Sequence, residues 1–344
     1  MAGVPPIGIV IAEKAQLYNR KHCTERNAYE CDLPVPVTDW PHPARRVPIM
    51  ETSDLISYAT QIYTDGSKIG GKVGAGVAIY MDKRLVRKCK YKLQDYCSNN
   101  QAEQIAILKS LELIPTLEEH NTRTVAIYTD SKVTLASLKN SFIHSFLTDE
   151  IRNMVGHLTM LNWTIHFGWV KAHTGIEGNE VADKLAKEAA QEADDQNIVY
   201  ARIPITSVAT ELKKEGIKKW QSQWESTEKG AICRLFFPSV EQRLKMKLPI
   251  TPEFTAIVTG HGKTKSYLHR FKLADNPTCP CNEGIQTPDH LIYDCKLLEV
   301  QRSSLKQHIM ADGGNWPTHN SELIASYLKS FSKFVKSIEF NKLQ

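Results

Sequence analysis

Residues Thr124–Asp130 read TVAIYTD, and the last four of them repeat a tetrapeptide already present at Ile62–Asp65. The run is short and almost continuously apolar, as strands of a buried parallel sheet are. Each copy ends at a turn or a helix start: Gly66 and Ser67 follow the first, Ser131 the second. If the two strands are parallel neighbours in equivalent register, Asp65 and Asp130 emerge side by side at one sheet edge. Two bare carboxylates there repel, and one is driven into its protonated form. A divalent cation removes that conflict. Carboxylates without histidine or cysteine among them suit Mg²⁺ or Mn²⁺.

The pattern continues outward from these runs. Gln61–Ser67, Gly74–Tyr80 and Leu85–Leu93 are predicted strands. Asn99–Ile114 is a predicted helix with Ile105, Leu108 and Leu111 on one face. Ser131–Leu138 and Phe146–Leu161 read as helices and Trp163–Val170 as a strand. Gly178–Ala193 is the closing helix, with Asn179 as its expected N-cap and Val181, Leu185 and Ala189 facing inward. This order argues an α/β domain: a mixed sheet, antiparallel first and then parallel, with helices on its faces.

Two further acids complete a set. Glu103 and Asp183 are each expected in the first turn of a helix that opens toward the same sheet edge. Four carboxylates can hold two metal ions about 4 Å apart, clamping the attacking and leaving oxygens of a phosphodiester displacement. His173 sits nearby, in a turn running to Gly178. Each residue alone has a bland explanation, as a strand end, a cap or an exposed histidine. The combination is what carries the argument.

Asp65-Gly66-Ser67, Ser98-Asn99-Asn100-Gln101-Ala102-Glu103, Thr129-Asp130-Ser131 and Trp169–Asp183 resemble, in order, the motifs of type 1 ribonuclease H, from about Ser57 to Ala193. The resemblance implies a five-stranded mixed sheet. It also implies an endoribonuclease that hydrolyses the RNA strand of RNA–DNA hybrids with two Mg²⁺ or Mn²⁺ ions, leaving 3′-hydroxyl and 5′-phosphate ends. Asp65 would bridge both metals, Glu103 and Asp130 complete the one beside the leaving group, and Asp183 the one beside the attacking water. His173 would assist proton movement or product release, with Gly175 and Gly178 letting its loop move. Gly66, Ser67, Ser98, Asn99, Asn100 and Gln101 would bind substrate through its 2′-hydroxyls. The basic protrusion of some bacterial relatives is absent, since the link from Leu138 to Phe146 is short and not basic. Lysines between Lys83 and Lys92 could add hybrid affinity, but protection of an edge strand explains them better. The alternative is a catalytically silent nucleic-acid-binding remnant. A DNA nuclease or integrase on the same fold fits less well, because of the polar residues placed for 2′-hydroxyls.

At 344 residues the chain has room for more than this one domain. We divide it into a proline-rich segment at 1–57, the α/β domain at 58–195 and a basic, mostly helical tail at 200–344. In the first segment a short helix is expected at Ile11–Arg20, and extended linker through Arg46. Between Ala201 and Asp275 the tail has 14 lysines and arginines against seven acids. Trp220, Trp224, Phe236, Phe237, Tyr267 and Phe271 are interleaved with them, a mixture that suits single- or double-stranded nucleic acid. The plainer reading makes most of these aromatics core. Cys279, Cys281, His290 and Cys295 form a zinc-knuckle-like motif, at about 277–297, for one structural Zn²⁺. The stretch from Thr259 through this cluster resembles the region after ribonuclease H in polyproteins of insect non-LTR retrotransposons. Gly3–Arg20 resembles the end of their reverse transcriptase, and no Tyr-x-Asp-Asp polymerase motif is present. The chain thus resembles the C-terminal part of such a polyprotein. No signal peptide or membrane span is read, so we expect an intracellular protein, nuclear or cytoplasmic, monomeric and without a membrane partner.

Overall fold

The computed structural model describes residues 3–22, 31–43, 46, 48–53, 58–117, 123–192 and 197–343. The chain forms two compact units, one of Gln16–Glu211 and one of Met1–Ala15 with Leu212–Gln344. The helices α1 (Ile7–His22) and, near the middle of the chain, Ile205–Ser226 each contribute residues to both units. Among the described residues no helix is long and apolar enough to cross a membrane.

In the Gln16–Glu211 unit the strands are β1 (Cys31–Asp32), β2 (Met50–Thr52), β3 (Thr60–Ile69), β4 (Lys72–Met81), β5 (Arg84–Leu93), β6 (Thr124–Thr129), β7 (Thr164–Trp169), β8 (Ile198–Tyr200) and β9 (Ile203–Pro204). The helices between them are α2 (Asn99–Leu113), α3 (Lys132–Lys139), α4 (Phe146–Met160) and α5 (Glu177–Gln191). The main sheet runs β2-β7-β6-β3-β4-β5-β8. Its centre is the expected five-stranded mixed sheet: β3, β4 and β5 are antiparallel neighbours, while β6 lies parallel to both β3 and β7. Two three-residue strands, β2 and β8, extend it at the margins.

Strand alternation sends successive residues to opposite faces, and the two faces have separate cores. Ile62, Val77, Ile79, Ile127 and Phe167 meet Ile105 and Leu111 of α2 and Leu147 and Ile151 of α4. On the other face Tyr63, Ala78, Tyr80 and Tyr128 meet Ala182 and Leu185 of α5. β3 and β6 are buried on both sides; β6 is accordingly a nearly unbroken apolar run, whereas β3 buries Thr60, Gln61, Thr64, Asp65 and Ser67 among its apolar residues.

The lysines of β5 serve α5. Lys90 pairs with Glu192 at 2.5 Å and with Glu188, and buried Lys92 donates to the Ala190 carbonyl at 2.8 Å. In the proline-rich segment the helix runs from Ile7 to His22, longer than Ile11–Arg20. Of the part read as linker, the described stretch at 31–43 lies against the sheet domain. Trp40 stacks on His144 at 4.0 Å, Val35 N–H donates to the His144 carbonyl, and β2 pairs with β7.

The other unit is helical. The Ile205–Ser226 helix is α6, followed by α7 (Ala231–Phe236), α8 (Val240–Lys245), α9 (Pro252–Thr259), α10 (Lys265–Arg270), α11 (Glu299–Ala311), α12 (Asn320–Ala325) and α13 (Leu328–Lys336). Its core gathers Phe236, Phe237, Phe254, Ile257, Leu291, Phe331 and Phe334. Trp220 is buried as well, so the plain reading holds for most of the tail aromatics; Phe271 is the exception, at 53% exposed.

Candidate active site

The two tetrapeptides lie in parallel register, Ile62 opposite Ile127, Tyr63 opposite Tyr128 and Thr64 opposite Thr129. The tyrosine rings stack at 5.1 Å. Asp65 and Asp130 therefore stand side by side where the β3–β6 pairing ends; β6 stops at Thr129, while β3 runs on to Ile69, so Gly66 and Ser67 are strand residues and not the expected turn. Gly66 explains how Glu103 joins them: a Cβ there would lie 2.4 Å from the Glu103 amide nitrogen, so only glycine lets α2 come this close to β3. Ligand oxygens of Asp65, Glu103 and Asp130 all lie within 4.8 Å of one another.

The electrostatics follow from that crowding. Burial, and then the charges of Asp130 and Asp183, push the Asp65 carboxyl up to about 8. Burial, and then the charges of Asp65 and Asp130, hold Glu103 well above the usual carboxylate range. Asp130 is raised by burial, against an opposing hydrogen bond from Asn179; Asp183 raises it further and the charge of His173 lowers it. Glu103 Oε2 is buried with no hydrogen-bond partner. An orphaned buried oxygen in an all-carboxylate set fits hard divalent cations such as Mg²⁺ or Mn²⁺.

Asp183 stands at the flank of this trio. Its carboxylate accepts a hydrogen bond from Asp65 and takes Lys187, one turn along α5, at 2.6 Å. Neither helical acid lies where sequence reasoning put it. α5 starts at Glu177, with Glu180 in its first turn, and α2 starts at Asn99 with no acid in its first turn. Asp183 and Glu103 are thus each about a turn further in. Asn179 is also not the cap: Ile176 holds that position, and Asn179 is buried with its side chain on Asp130. The missed signal was its spacing of four residues from Asp183, which puts both on one helix face.

His173 is exposed in the loop before α5, in left-handed backbone at φ 54°, within electrostatic reach of Asp130. Gly175 shares that left-handed turn at φ 81°. Gly178 does not belong to the His173 loop: it is buried in α5, where a Cβ would meet the Tyr63 ring at 2.2 Å.

Among the residues read as substrate contacts, Asn99 and Asn100 are exposed at the start of α2, while Gly66 and Ser67 are buried beside Asp65. Ser98 caps α2, its Oγ accepting from the Gln101 amide and its own N–H donating back to Gln101 Oε1 at 2.9 Å. Gln101 Nε2 donates to Asp32 of β1 at 2.8 Å. The Gln101 side chain is therefore committed inside the protein.

Cys279, Cys281, His290 and Cys295 also converge, with ligand atoms within 4.8 Å. Cys279 and Cys281 sit on a tight turn closed by Cys279 N–H on the Gly284 carbonyl, and His290 begins a wide helical turn that ends at Cys295. The Cys279 and Cys295 sulfurs are 3.7 Å apart. Two thiolates at about 2.3 Å from a tetrahedral zinc are about 3.8 Å apart, so the cluster could hold zinc.

The family model described as RNase H matches residues 57–191. The ribonuclease H of Tropheryma whipplei (strain Twist) is 34% identical over 140 residues, which cover 37% of this chain and 81% of that protein. A "Retrovirus-related Pol polyprotein from type-1 retrotransposable element R1" of Popillia japonica is 26% identical over 205 residues, covering 59% of this chain and 78% of that protein. A crystal structure of RNase H1 from Halobacterium salinarum NRC-1 is 22% identical with a TM-score of 0.31, covering 38% of this chain and 96% of that one. With its acid cluster where two paired strands part, this chain belongs to the ribonuclease H family, within a sequence similar to R1 retrotransposon polyproteins.

Proposed function

We propose that the protein is an endoribonuclease that hydrolyses the RNA strand of RNA–DNA hybrids, leaving 3′-hydroxyl and 5′-phosphate ends. The observation that carries this reading is the in-register pair of tetrapeptides, which sets Asp65 beside Asp130, with Glu103 brought in over Gly66. Asp65, Glu103 and Asp130 would hold one divalent ion, and Asp65 with Asp183 a second. Bound there, the ions supply Lewis acidity to the scissile phosphate and to the attacking water.

The remaining work belongs to the chain. Asn99 and Asn100 present exposed amides to the 2′-hydroxyls that distinguish an RNA strand. Gln101 positions them by locking the first turn of α2 to Ser98 and Asp32. Asn179 orients the Asp130 carboxylate, and His173, exposed on its turn, moves a proton or helps product leave. The Cys279–Cys281–His290–Cys295 cluster takes a structural Zn²⁺ that closes the end of a small helical core.

Glu103→Gln and Asp130→Asn should each abolish Mg²⁺-dependent cleavage of a labelled hybrid while hybrid binding persists. Hybrid binding by the unaltered protein with no cleavage in Mg²⁺ or Mn²⁺ would instead favour a silent remnant.

A further inference from the structure

Outside the acid cluster, the C-terminal unit carries a second surface with recognisable chemistry. From Phe254 to Ala274 there is no acidic residue, while Lys263, Lys265, Arg270 and Lys272 lie within that stretch. Lys263 is taken by Glu253 at 2.6 Å. Among the described residues, Lys265, Arg270 and Lys272 have no carboxylate partner. Three rings run along the same segment. His261 meets Tyr267 edge-on at 5.2 Å, and Tyr267 meets Phe271 at 4.8 Å. Phe271 ends the row half in solvent, with Leu273 beside it 71% exposed.

The row is held firmly. Lys265 N–H donates to Gln286 Oε1 at 2.7 Å, and Ser266 N–H to the Gln286 carbonyl. Gln286 is fully buried, and its amide nitrogen donates to the Leu343 carbonyl at 2.6 Å and points to Cys279 Sγ at 3.9 Å. The first turn of α10 is thus tied to the cysteine–histidine cluster. At the other end Lys272 adopts left-handed backbone at φ 58°, and both its N–H and that of Leu273 close back onto the helix. A short helix pinned at both ends keeps Phe271 and the cations on one frame.

We propose that His261, Tyr267 and Phe271, with Lys265, Arg270 and Lys272, form a binding platform for single-stranded nucleic acid, separate from the hybrid-cleaving site. Unpaired bases offer π-faces to a half-exposed ring, and their phosphates offer charge to the cations. A duplex offers the phosphates alone, which leaves Phe271 and Leu273 without a partner. The platform does not depend on the acid cluster, so it stands or falls apart from cleavage.

The test is fluorescence anisotropy of the full chain with a short labelled oligo(dT) and with a DNA duplex of equal length. Phe271→Ala should weaken oligo(dT) binding on the order of tenfold, leave duplex binding unchanged and leave cleavage of a short hybrid unchanged. Phe271→Trp should keep oligo(dT) affinity. Replacing Lys265, Arg270 and Lys272 together by alanine should lower the salt slope of log Kd by about 2. Unaltered oligo(dT) binding in Phe271→Ala would overturn the proposal, as would loss of binding in Phe271→Trp. So would variants that keep oligo(dT) but lose an acidic peptide bound by the unaltered chain, an outcome that marks a protein-docking surface.

Discussion

Among the described residues stand two clusters of ligand-type side chains, and they are assembled in opposite ways. The carboxylates come from position 65 on β3, position 130 just past β6, and positions 103 and 183 on two helices, and meet only when the sheet is complete. The thiols and imidazole come from one window, Cys279 to Cys295, on a tight turn and the wide turn after it. Oxygen donors such as the first set suit hard cations, and a sulfur and nitrogen set such as the second suits zinc. A distributed site makes the fold a precondition for the chemistry. In the local site, ligand binding itself can supply the energy of folding.

The largest effect should come from breaking the local site. Cys295→Ser should unfold the C-terminal unit as a separate calorimetric transition and leave cleavage of a short hybrid intact. A single shared transition, or loss of cleavage, would contradict the division. The distributed site should fail through packing. Gly66→Ala drives a Cβ into the α2 backbone and should cost about 3 kcal/mol, read by urea unfolding, with cleavage lost because Glu103 is displaced.

The smallest effect sharpens the comparison through pH. In the metal-free protein Asp65 is raised to about 8, chiefly by burial and then by Asp130 and Asp183, above its value in an unfolded chain. Its contribution is therefore complete below about pH 4 and is lost as the pH climbs through 8. The metal-free catalytic unit should melt at progressively lower temperature between pH 5 and 8.5. Mg²⁺ should restore most at the upper end. The cysteine–histidine cluster, loaded with zinc, should behave in the opposite sense, losing stability as falling pH protonates its thiolates. Thermal melts of metal-free and metal-loaded protein across that range would separate the two signs.

The repeated tetrapeptide made the centre of the fold readable from sequence, because burial on both faces leaves β6 a nearly unbroken apolar run and the shared Asp marks the register. The N-terminus of α2 was readable too, since Ser98 and Gln101 satisfy each other's backbone groups. α5 was harder. Its cap, Ile176, makes no side-chain bond, so nothing in the sequence fixed its start, and Asn179 and Asp183 were placed a turn too early. The commitment of Gln101 to Asp32 depends on a residue 69 positions away, paired through β1 and β9, and no local pattern carries that. β2 and β8 are three residues each, too short to show a period.

The central claim is that Asp65, Glu103 and Asp130 serve hybrid cleavage. Its most direct measurement is the cleavage of an RNA-labelled hybrid by the full chain in Mg²⁺, beside Asp65→Asn and beside EDTA. We predict cuts within the RNA strand ending in 3′-hydroxyl groups, none in the DNA strand, and none with Asp65→Asn or EDTA. Cleavage that persists in Asp65→Asn, or equal cutting of a pure DNA duplex, would contradict the account.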